Sequence, residues 1–216
     1  MTILPRLYAI VDTAALGRRG LDAVQFASVL LDCGVRLLQY RHKGHFSRHV
    51  FAEAEAIAVL CRQAGAQYVI DDRGDIARVL GAGLHVGQDD LAPADARQVI
   101  GDALLGFSTH NAEQLRAGDA EPVDYLAVGP VFATGSKENP DPVLGVDALR
   151  ELRALTAKPL VAIGGITLRN AEAVLAAGID SLAVISDLIP DEGELSTRIR
   201  EWVRLTARHN PECSKL

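Results

Sequence analysis

The feature that most limits the possible folds is a regular alternation of short β-branched runs with longer stretches whose apolar residues recur at helical spacing. The short runs predict eight strands, at residues 7–11, 35–40, 67–70, 83–86, 103–107, 124–128, 159–163 and 181–185. The longer stretches predict helices at 21–32, 48–63, 76–80, 93–100, 112–117, 146–155, 168–176 and 193–207. Strands that alternate with helices are typical of an α/β protein with a parallel sheet.

The length of each repeat decides between two such sheets. Eight units in 216 residues take up about 27 residues each, slightly fewer than in the usual (βα)8 barrel of ~250 residues. We therefore predict a single-domain TIM barrel over residues 1–216, with a core at about 5–208 and a frayed tail at 209–216. The alternative is an open, doubly wound sheet, which is less favoured because no G-x-G-x-x-G follows the first strand.

Composition and charge exclude several classes of protein. A hydrophobic share of 49% with 23% charged residues is typical of a folded domain, and the net charge of -6 disfavours a nucleic-acid partner. No apolar stretch approaches the ~20 residues that cross a bilayer, so we expect no membrane partner. Cys33, Cys61 and Cys213 are an odd number at unrelated spacing, which favours neither disulfides nor a metal motif. A reducing, cytoplasmic location is expected.

Cations follow the second predicted strand. A barrel of this kind carries its active site at the carboxyl ends of its strands. The alternation of side chains places Gln39, Arg41 and Lys43 on one face of the chain there. If that face is the barrel interior, an anionic ligand is the natural partner of the cations. If it is a solvated edge, they only meet water, and the triplet alone leaves both interpretations open.

Paired acids follow the next two strands. Asp71 and Asp72 end the third strand, and Asp89 and Asp90 end the fourth. Carboxylates that are brought together repel each other unless a cation bridges them, and Mg²⁺ is commonly held by one or two carboxylates plus phosphate oxygens. Asp72 and Asp90 are therefore the preferred metal ligands. Helix capping is the alternative role for Asp71 or Asp89.

The fourth and fifth strands add an imidazole and a hydroxyl. His85 lies within an apolar strand, which favours a hydrogen-bonded core histidine over a catalyst. Ser108 follows the fifth strand. No acid at motif spacing completes a nucleophilic triad, so Ser108 is predicted to donate a hydrogen bond rather than to act as a nucleophile.

The last three strand ends predict phosphate contacts. Thr134, Ser136 and Lys137 lie on a glycine-containing loop, which indicates a phosphate-binding lid, although a plain surface loop would look similar. Gly165 and Ser186 follow strands seven and eight, where barrels of this type commonly bind phosphate. A tight turn without a ligand is the alternative role for the glycine.

Six motifs, in order along the chain, resemble those of the thiamine phosphate synthase family. They are Gln39-x-Arg41-x-Lys43, Asp71-Asp72-Arg73 with Asp75-Ile76-Ala77, His85-Val86-Gly87-Gln88-x-Asp90-Leu91, Gly129-Pro130-Val131-Phe132-x-Thr134-x-Ser136-Lys137, Gly164-Gly165-Ile166 and Ile185-Ser186. Each motif alone is unspecific, whereas six in register are specific. Two positions depart from the family pattern: Asp71 stands in place of asparagine, and Ser136 in place of threonine.

The resemblance implies a Mg²⁺-dependent transferase that joins hydroxymethylpyrimidine diphosphate to hydroxyethylthiazole phosphate, giving thiamine phosphate and diphosphate. The diphosphate would leave first, and the thiazole nitrogen would capture the resulting pyrimidine cation. The residues that the resemblance assigns to the pyrimidine diphosphate are Gln39, Arg41, Lys43, Asp71, Ser108 and Lys137, among which Lys43, Ser108 and Lys137 would be catalytic. Those that it assigns to the thiazole phosphate are Thr134, Ser136, Gly165, Ile185 and Ser186. Asp72 and Asp90 would hold one Mg²⁺.

Three other functions compete with this one. A thiazole tautomerase resembles the family but lacks the acidic pair, so Asp72 and Asp90 disfavour it. A non-catalytic barrel that binds thiamine precursors would be expected to lose Lys43, Asp90 or Lys137. Another phosphate-binding barrel, for example an isomerase of the tryptophan or histidine pathway, needs an acid and a base that face each other across the mouth of the barrel, and no second partner for Asp72 is evident. The expected partners are small phosphorylated substrates, and the sequence leaves a homo-oligomer open.

Overall fold

The chain folds into a closed barrel of eight parallel strands. The structure, a computed structural model, describes residues 3–134, 142–191 and 193–209. The strands follow one another around the barrel in chain order, and the last pairs with the first. They are β1 (Leu7–Asp12), β2 (Leu37–Arg41), β3 (Gln67–Asp71), β4 (Gly83–Val86), β5 (Leu105–Thr109), β6 (Tyr125–Val128), β7 (Leu160–Ile163) and β8 (Ser181–Val184). The prediction of a TIM barrel is confirmed.

Helices surround the barrel and connect its strands. Within the described ranges they are α1 (Thr13–Gly17), α2 (Ala23–Asp32), α3 (Arg48–Gln63), α4 (Gly74–Leu80), α5 (Pro93–Ile100), α6 (Ala112–Ala120), α7 (Gly145–Arg153), α8 (Ala171–Ala176) and α9 (Leu195–Arg208). A short 3-10 turn, Ser186–Leu188, follows β8. None of these helices has the length and apolar character that crossing a membrane requires. The predicted tail lies outside the described residues from position 210 onward.

Most of the predicted elements have at least one end that is wrong by one to three residues, and two of these differences have a clear local reason. Strand β2 begins at Leu37 rather than at 35, because the Val35 N–H donates to the Leu30 carbonyl at 3.0 Å and still belongs to the end of α2. Helix α8 begins at Ala171 rather than at 168. There the Asn170 side chain accepts a hydrogen bond from the Thr167 N–H at 2.8 Å and closes a turn before the helix.

Alternating side chains divide the apolar residues into two layers. Outward-facing residues of the strands pack against the helices, where Trp202 of α9 is fully buried. Inward-facing residues fill the barrel, and they are Leu4, Tyr8, Ile10, Leu37, Val69, Tyr125, Ala127, Val161 and Ala183. Toward the carboxyl ends the inward positions become polar, as at Gln39, Asp71 and His85, all of which are buried. The upper layer of the barrel interior is therefore built for polar chemistry.

Candidate active site

One cavity of about 1000 Å³ opens at the carboxyl ends of the strands. Eleven of the thirteen residues that the resemblance assigns to the substrates or the metal line it: Gln39, Arg41, Lys43, Asp71, Asp72, Asp90, Ser108, Thr134, Gly165, Ile185 and Ser186. They come from the ends of seven strands, β2 to β8. Ser136 and Lys137 lie outside the described residues, so their roles stay predictions.

Arg41 and Lys43, at the end of β2, face the barrel interior, which was one of the two interpretations of the Gln39, Arg41 and Lys43 triplet. Both cations form ion pairs with acids of the protein itself. Arg41 forms an ion pair with Asp12, and its Nε lies 3.4 Å from Oδ2 of Asp71. The Lys43 Nζ lies 2.9 Å from the same oxygen and also contacts Asp72. An anionic ligand would therefore compete with carboxylates for these cations rather than meet unpaired charges.

Asp71, like Asp12, is a buried acid of this network. Burial raises the pKa of its carboxyl group, and the charges of Lys43 and Arg41 oppose that rise. Its Oδ2 is buried without an aligned hydrogen bond, although the Lys43 ammonium lies 2.9 Å away. The contact is therefore an ion pair of poor hydrogen-bond geometry.

Asp72 and Asp90 meet at the rim although they follow different strands. Asp72 adopts a left-handed backbone conformation, with φ of 60°, and its N–H donates to the His85 carbonyl at 2.8 Å. Oδ2 of Asp90 accepts from the Gly87 N–H at 2.8 Å. Partial burial and a hydrogen bond with Asp72 raise the pKa of Asp90. The two carboxylates are thus held against each other by backbone contacts.

The charges around this pair suit a divalent cation. Arg41 and Lys43 face the carboxylates of Asp12, Asp71 and Asp72, and Asp90 adds a fourth, so the cluster has two more acids than cations. Within the described ranges, no three His, Cys, Asp or Glu side chains form a ready metal cage. A pair of carboxylates that shares the ion with ligand oxygens is the usual arrangement for Mg²⁺. The residues present therefore fit that ion.

A chain of hydrogen bonds crosses the barrel beneath the acids. The Gln39 amide nitrogen donates to the Tyr8 hydroxyl at 2.9 Å, and that hydroxyl lies 2.9 Å from the Tyr125 hydroxyl. The His85 ring bridges Tyr125, 3.0 Å from Nδ1, and Ser108, 2.8 Å from Nε2. Burial, and then the charge of Lys43, lower the pKa of His85 to about 4, so the ring is neutral at neutral pH. His85 is therefore the predicted hydrogen-bonded core histidine, and it also lines the cavity.

The glycine turn after β7 packs tightly on the loop after β6. Gly165 has a φ of 63°, and a Cβ atom there would lie 2.5 Å from the Ala133 carbonyl oxygen. The Phe132 N–H donates to the Gly164 carbonyl at 3.0 Å. This contact brings Thr134 to the same wall of the cavity as Gly165. Gly164 and Gly165 thus form a tight turn, which was the alternative role predicted for the glycine. The same two residues line the cavity, so their backbone also faces it.

Asp187 ties the loop after β8 to the outer helices. Its Oδ2 accepts hydrogen bonds from the Trp202 indole at 2.8 Å and from the Leu168 N–H at 3.2 Å. Arg198 lies 3.6 Å from the same oxygen and also lines the cavity. These contacts fix the turn that carries Ser186, the predicted phosphate contact.

Sequence reasoning missed several residues in and around this site, among them Tyr8, Asp12, Tyr125 and Asp187. Asp12 is the last residue of β1, just as Asp71 is the last residue of β3. An acid at the end of a strand could therefore have identified Asp12 as a site residue. Tyr8 and Tyr125 lie in apolar runs of the sequence. They differ from their neighbours only in that their side chains point into the barrel. Asp187 follows the Ile185-Ser186 motif directly.

The closed barrel and the charged cavity at its strand ends define the class of (βα)8-barrel enzymes. A family model described as thiamine monophosphate synthase matches residues 7–188. The chain belongs to the thiamine monophosphate synthase family, a family of transferases.

Curated relatives and a solved structure agree with this assignment. The chain is 50% identical over 192 residues to the thiamine-phosphate synthase of Koribacter versatilis, covering 87% of this chain and 90% of the relative. It is 40% identical over 204 residues to the thiamine-phosphate synthase of Chloroflexus aurantiacus, covering 93% of this chain and 94% of the relative. A thiamine phosphate pyrophosphorylase from Pyrococcus furiosus superposes with a TM-score of 0.84 at 28% identity, covering 95% of this chain and 96% of that one.

Proposed function

We propose that this protein is a thiamine phosphate synthase: it joins hydroxymethylpyrimidine diphosphate to hydroxyethylthiazole phosphate and releases diphosphate. The observation that carries the proposal is the convergence of Lys43, Asp72, Asp90 and Ser108 on one cavity, in a chain that belongs to this family. Its partners would be small phosphorylated molecules, in keeping with a cavity of about 1000 Å³ that is lined by both charged and apolar residues.

Arg41 and Lys43 would bind the diphosphate of the pyrimidine substrate. Lys43 suits this role because its side chain is 49% exposed and reaches the cavity from the end of β2. Arg41 is more buried and remains oriented by Asp12. As the bond to the diphosphate breaks, negative charge grows on the departing oxygens, and fixed cations stabilise that charge. Lys137 would add a further cation, as the resemblance of its motif implies.

Asp72 and Asp90 would hold the Mg²⁺ ion. The shared position of the two carboxylates, the raised pKa of Asp90 and the excess of acids around them support this assignment. When bound, the ion would supply Lewis-acid stabilisation of the diphosphate as a leaving group. Asp71 adds a charge where the family has asparagine, and Lys43 and Arg41 offset that charge.

The pyrimidine ring would lie beside Ser108 and Gln39, above the apolar floor of the barrel. No side chain need act as a nucleophile, because the departure of diphosphate leaves a carbon cation that the pyrimidine ring stabilises. The His85 ring supports this assignment, since it is neutral and adds no repelling charge next to such a cation. The thiazole nitrogen would then attack that carbon.

The thiazole phosphate would bind at the opposite wall, between the turns that carry Gly165 and Ser186. The positive φ of Gly165 and its close packing leave its backbone, rather than a side chain, facing the ligand. Thr134 and Ile185 line the same wall, and Ser136 is assigned there by the resemblance of its motif. Backbone amides and hydroxyl groups are suitable partners for a phosphate monoester.

The test is to incubate the purified protein with both precursors and Mg²⁺ and to quantify thiamine phosphate and diphosphate by chromatography. We expect equal amounts of both products, and none when Mg²⁺ or either precursor is omitted. Thiazole conversion without the pyrimidine substrate would indicate a tautomerase instead, and binding of both precursors without product would indicate a carrier. Either result would overturn the proposal.

The role of Asp90 in the acidic pair can be tested against a control substitution at Asp95, five residues further along the chain. We expect Asp90→Asn to lower the rate by more than about tenfold, because it removes one of two charged metal ligands. Asp95→Asn makes the same chemical change at an exposed position of α5 and should keep the parental rate. Equal rates for the two variants would contradict the role of Asp90.

A further inference from the structure

The hydrogen-bond chain inside the barrel has one arrangement of protons in which every buried hydroxyl finds an acceptor. The Gln39 amide nitrogen is a donor, so the Tyr8 oxygen accepts from it at 2.9 Å. Among the residues that the structure describes, the other hydrogen-bond partner of Tyr8 is Tyr125, which must therefore accept the Tyr8 proton. Tyr125 then donates to Nδ1 of His85 at 3.0 Å.

The reverse direction is disfavoured by burial. If His85 donated from Nδ1 to Tyr125, and Tyr125 donated to Tyr8, no acceptor among the described residues would be left for the Tyr8 proton. Tyr8 and Tyr125 are both almost completely buried, at 2% and 0% exposure. An unsatisfied buried donor costs about 1–3 kcal/mol, which is enough to determine the direction of the chain.

The direction of the chain determines what Ser108 offers to a ligand. When Nδ1 of His85 accepts from Tyr125, a neutral ring carries its proton on Nε2. Nε2 then donates to the Ser108 hydroxyl, whose oxygen lies 2.8 Å away. With its oxygen engaged as an acceptor, Ser108 has its own proton left to donate, and it lines the cavity.

The packing around the chain is specialised for this contact. The His85 ring stacks on Tyr125 with 5.6 Å between the ring centroids, and Gly106 lies between them in the register of the sheet. A Cβ atom at Gly106 would lie 2.0 Å from Cζ of Tyr125 and 2.5 Å from Nδ1 of His85. A glycine at this point of β5 is therefore what gives the two rings room to meet.

We propose that Tyr8, Tyr125 and His85 are positioning residues that hold Ser108 as a hydrogen-bond donor toward an acceptor nitrogen of the pyrimidine ring. The site thereby selects a heteroaromatic ring with a nitrogen lone pair at this point over a ring with a C–H group there. The substrate half of this inference rests on the proposed function, whereas the direction of the chain is a property of the ligand-free protein.

The first test is ¹⁵N NMR of the imidazole rings in the ligand-free protein, with the His85 signals assigned by their absence from His85→Gln. We expect Nε2 to be protonated and Nδ1 to be an acceptor. The Tyr8→Phe variant should keep this tautomer, because Tyr125 still donates to Nδ1. Tyr125→Phe should give a mixture of tautomers. Protonation on Nδ1 in the parent protein would overturn the proposal whatever the enzymatic activity.

The second test uses turnover, with Tyr68→Phe as the matched control. Tyr68 is also buried, and it donates to the Ala54 carbonyl at 3.0 Å on the outer side of the barrel. We expect Tyr125→Phe to lower kcat/KM for the pyrimidine diphosphate by about 5–30-fold, corresponding to about 1–2 kcal/mol, and to leave KM for the thiazole phosphate unchanged. The control should leave both values unchanged. Equal effects of the two variants would contradict a positioning role.

A substrate analogue separates the donor role of Ser108 from general packing. Replacing the accepting ring nitrogen by C–H should weaken binding to the parent protein but not to Ser108→Ala, which has no proton to donate. Equal discrimination by both proteins would overturn the proposal. If neither precursor is turned over, the proposed function fails, and the tautomer of His85 still decides the direction of the chain.

Discussion

The neutral His85 ring makes the stability of this protein depend on pH in a defined window. An unfolded histidine has a pKa of about 6.5, whereas burial lowers the pKa of His85 to about 4. Between these values the unfolded chain binds a proton at this site and the folded chain does not. Stability from this site is therefore fully present above pH 6.5 and is lost as the pH falls toward 4. The difference between the two pKa values corresponds to a contribution of about 3 kcal/mol to the free energy of unfolding.

The assay is chemical unfolding followed by circular dichroism at several pH values, for the parent protein and for His85→Gln. The difference in unfolding free energy between the two proteins should shrink by about 3 kcal/mol from pH 7 to pH 4. His49→Gln, at an exposed position of α3, controls for the loss of an imidazole. A difference between parent and His85→Gln that stays constant with pH would refute the argument that the ring is buried in its neutral form.

Three further substitutions test the turns and contacts around the cavity. Gly165→Ala should cost about 2 kcal/mol more stability than Gly20→Ala, because both glycines have a φ of 63° but only Gly165 has no room for a Cβ atom; equal costs in urea unfolding would contradict this. Asp72→Ala should be about 1 kcal/mol less stable than Asp72→Asn, since asparagine tolerates the φ of 60° better, and a reversed order in the same assay would be inconsistent with that backbone conformation. Trp202→Phe should lower the free energy of unfolding by about 2–3 kcal/mol, because it removes a hydrogen bond to Asp187 and leaves a cavity in the core. A variant that unfolds at the same temperature as the parent protein would contradict this prediction.

The fold could be predicted from the sequence because each repeat carries its own periodicity. The bounds of β4, α3 and α5 are as predicted, since apolar spacing and flanking residues define them locally. Helix α1 was missed because its five residues span little more than one turn, which is too short for a helical period to appear. It forms because the Asp12 side chain accepts the Ala15 N–H at 2.7 Å.

The gathering of polar strand ends was predictable, whereas their pairing was not. Asp12 lies directly opposite Arg41 in the register of β1 and β2, which the alternation alone does not define. Tyr8 and Tyr125 are 117 residues apart, and nothing local distinguishes them from ordinary core residues. Contacts of this kind depend on how the barrel closes, so they require coordinates rather than a pattern.

The central claim is that the acidic pair at the rim binds a divalent cation together with a diphosphate. The most direct measurement is isothermal titration of the protein with inorganic diphosphate, with and without Mg²⁺, for the parent, Asp90→Asn and Asp95→Asn. We predict that Mg²⁺ strengthens binding by at least about tenfold in the parent and in Asp95→Asn, and not in Asp90→Asn. The same affinity with and without Mg²⁺ in the parent, or an undiminished Mg²⁺ effect in Asp90→Asn, would contradict the account.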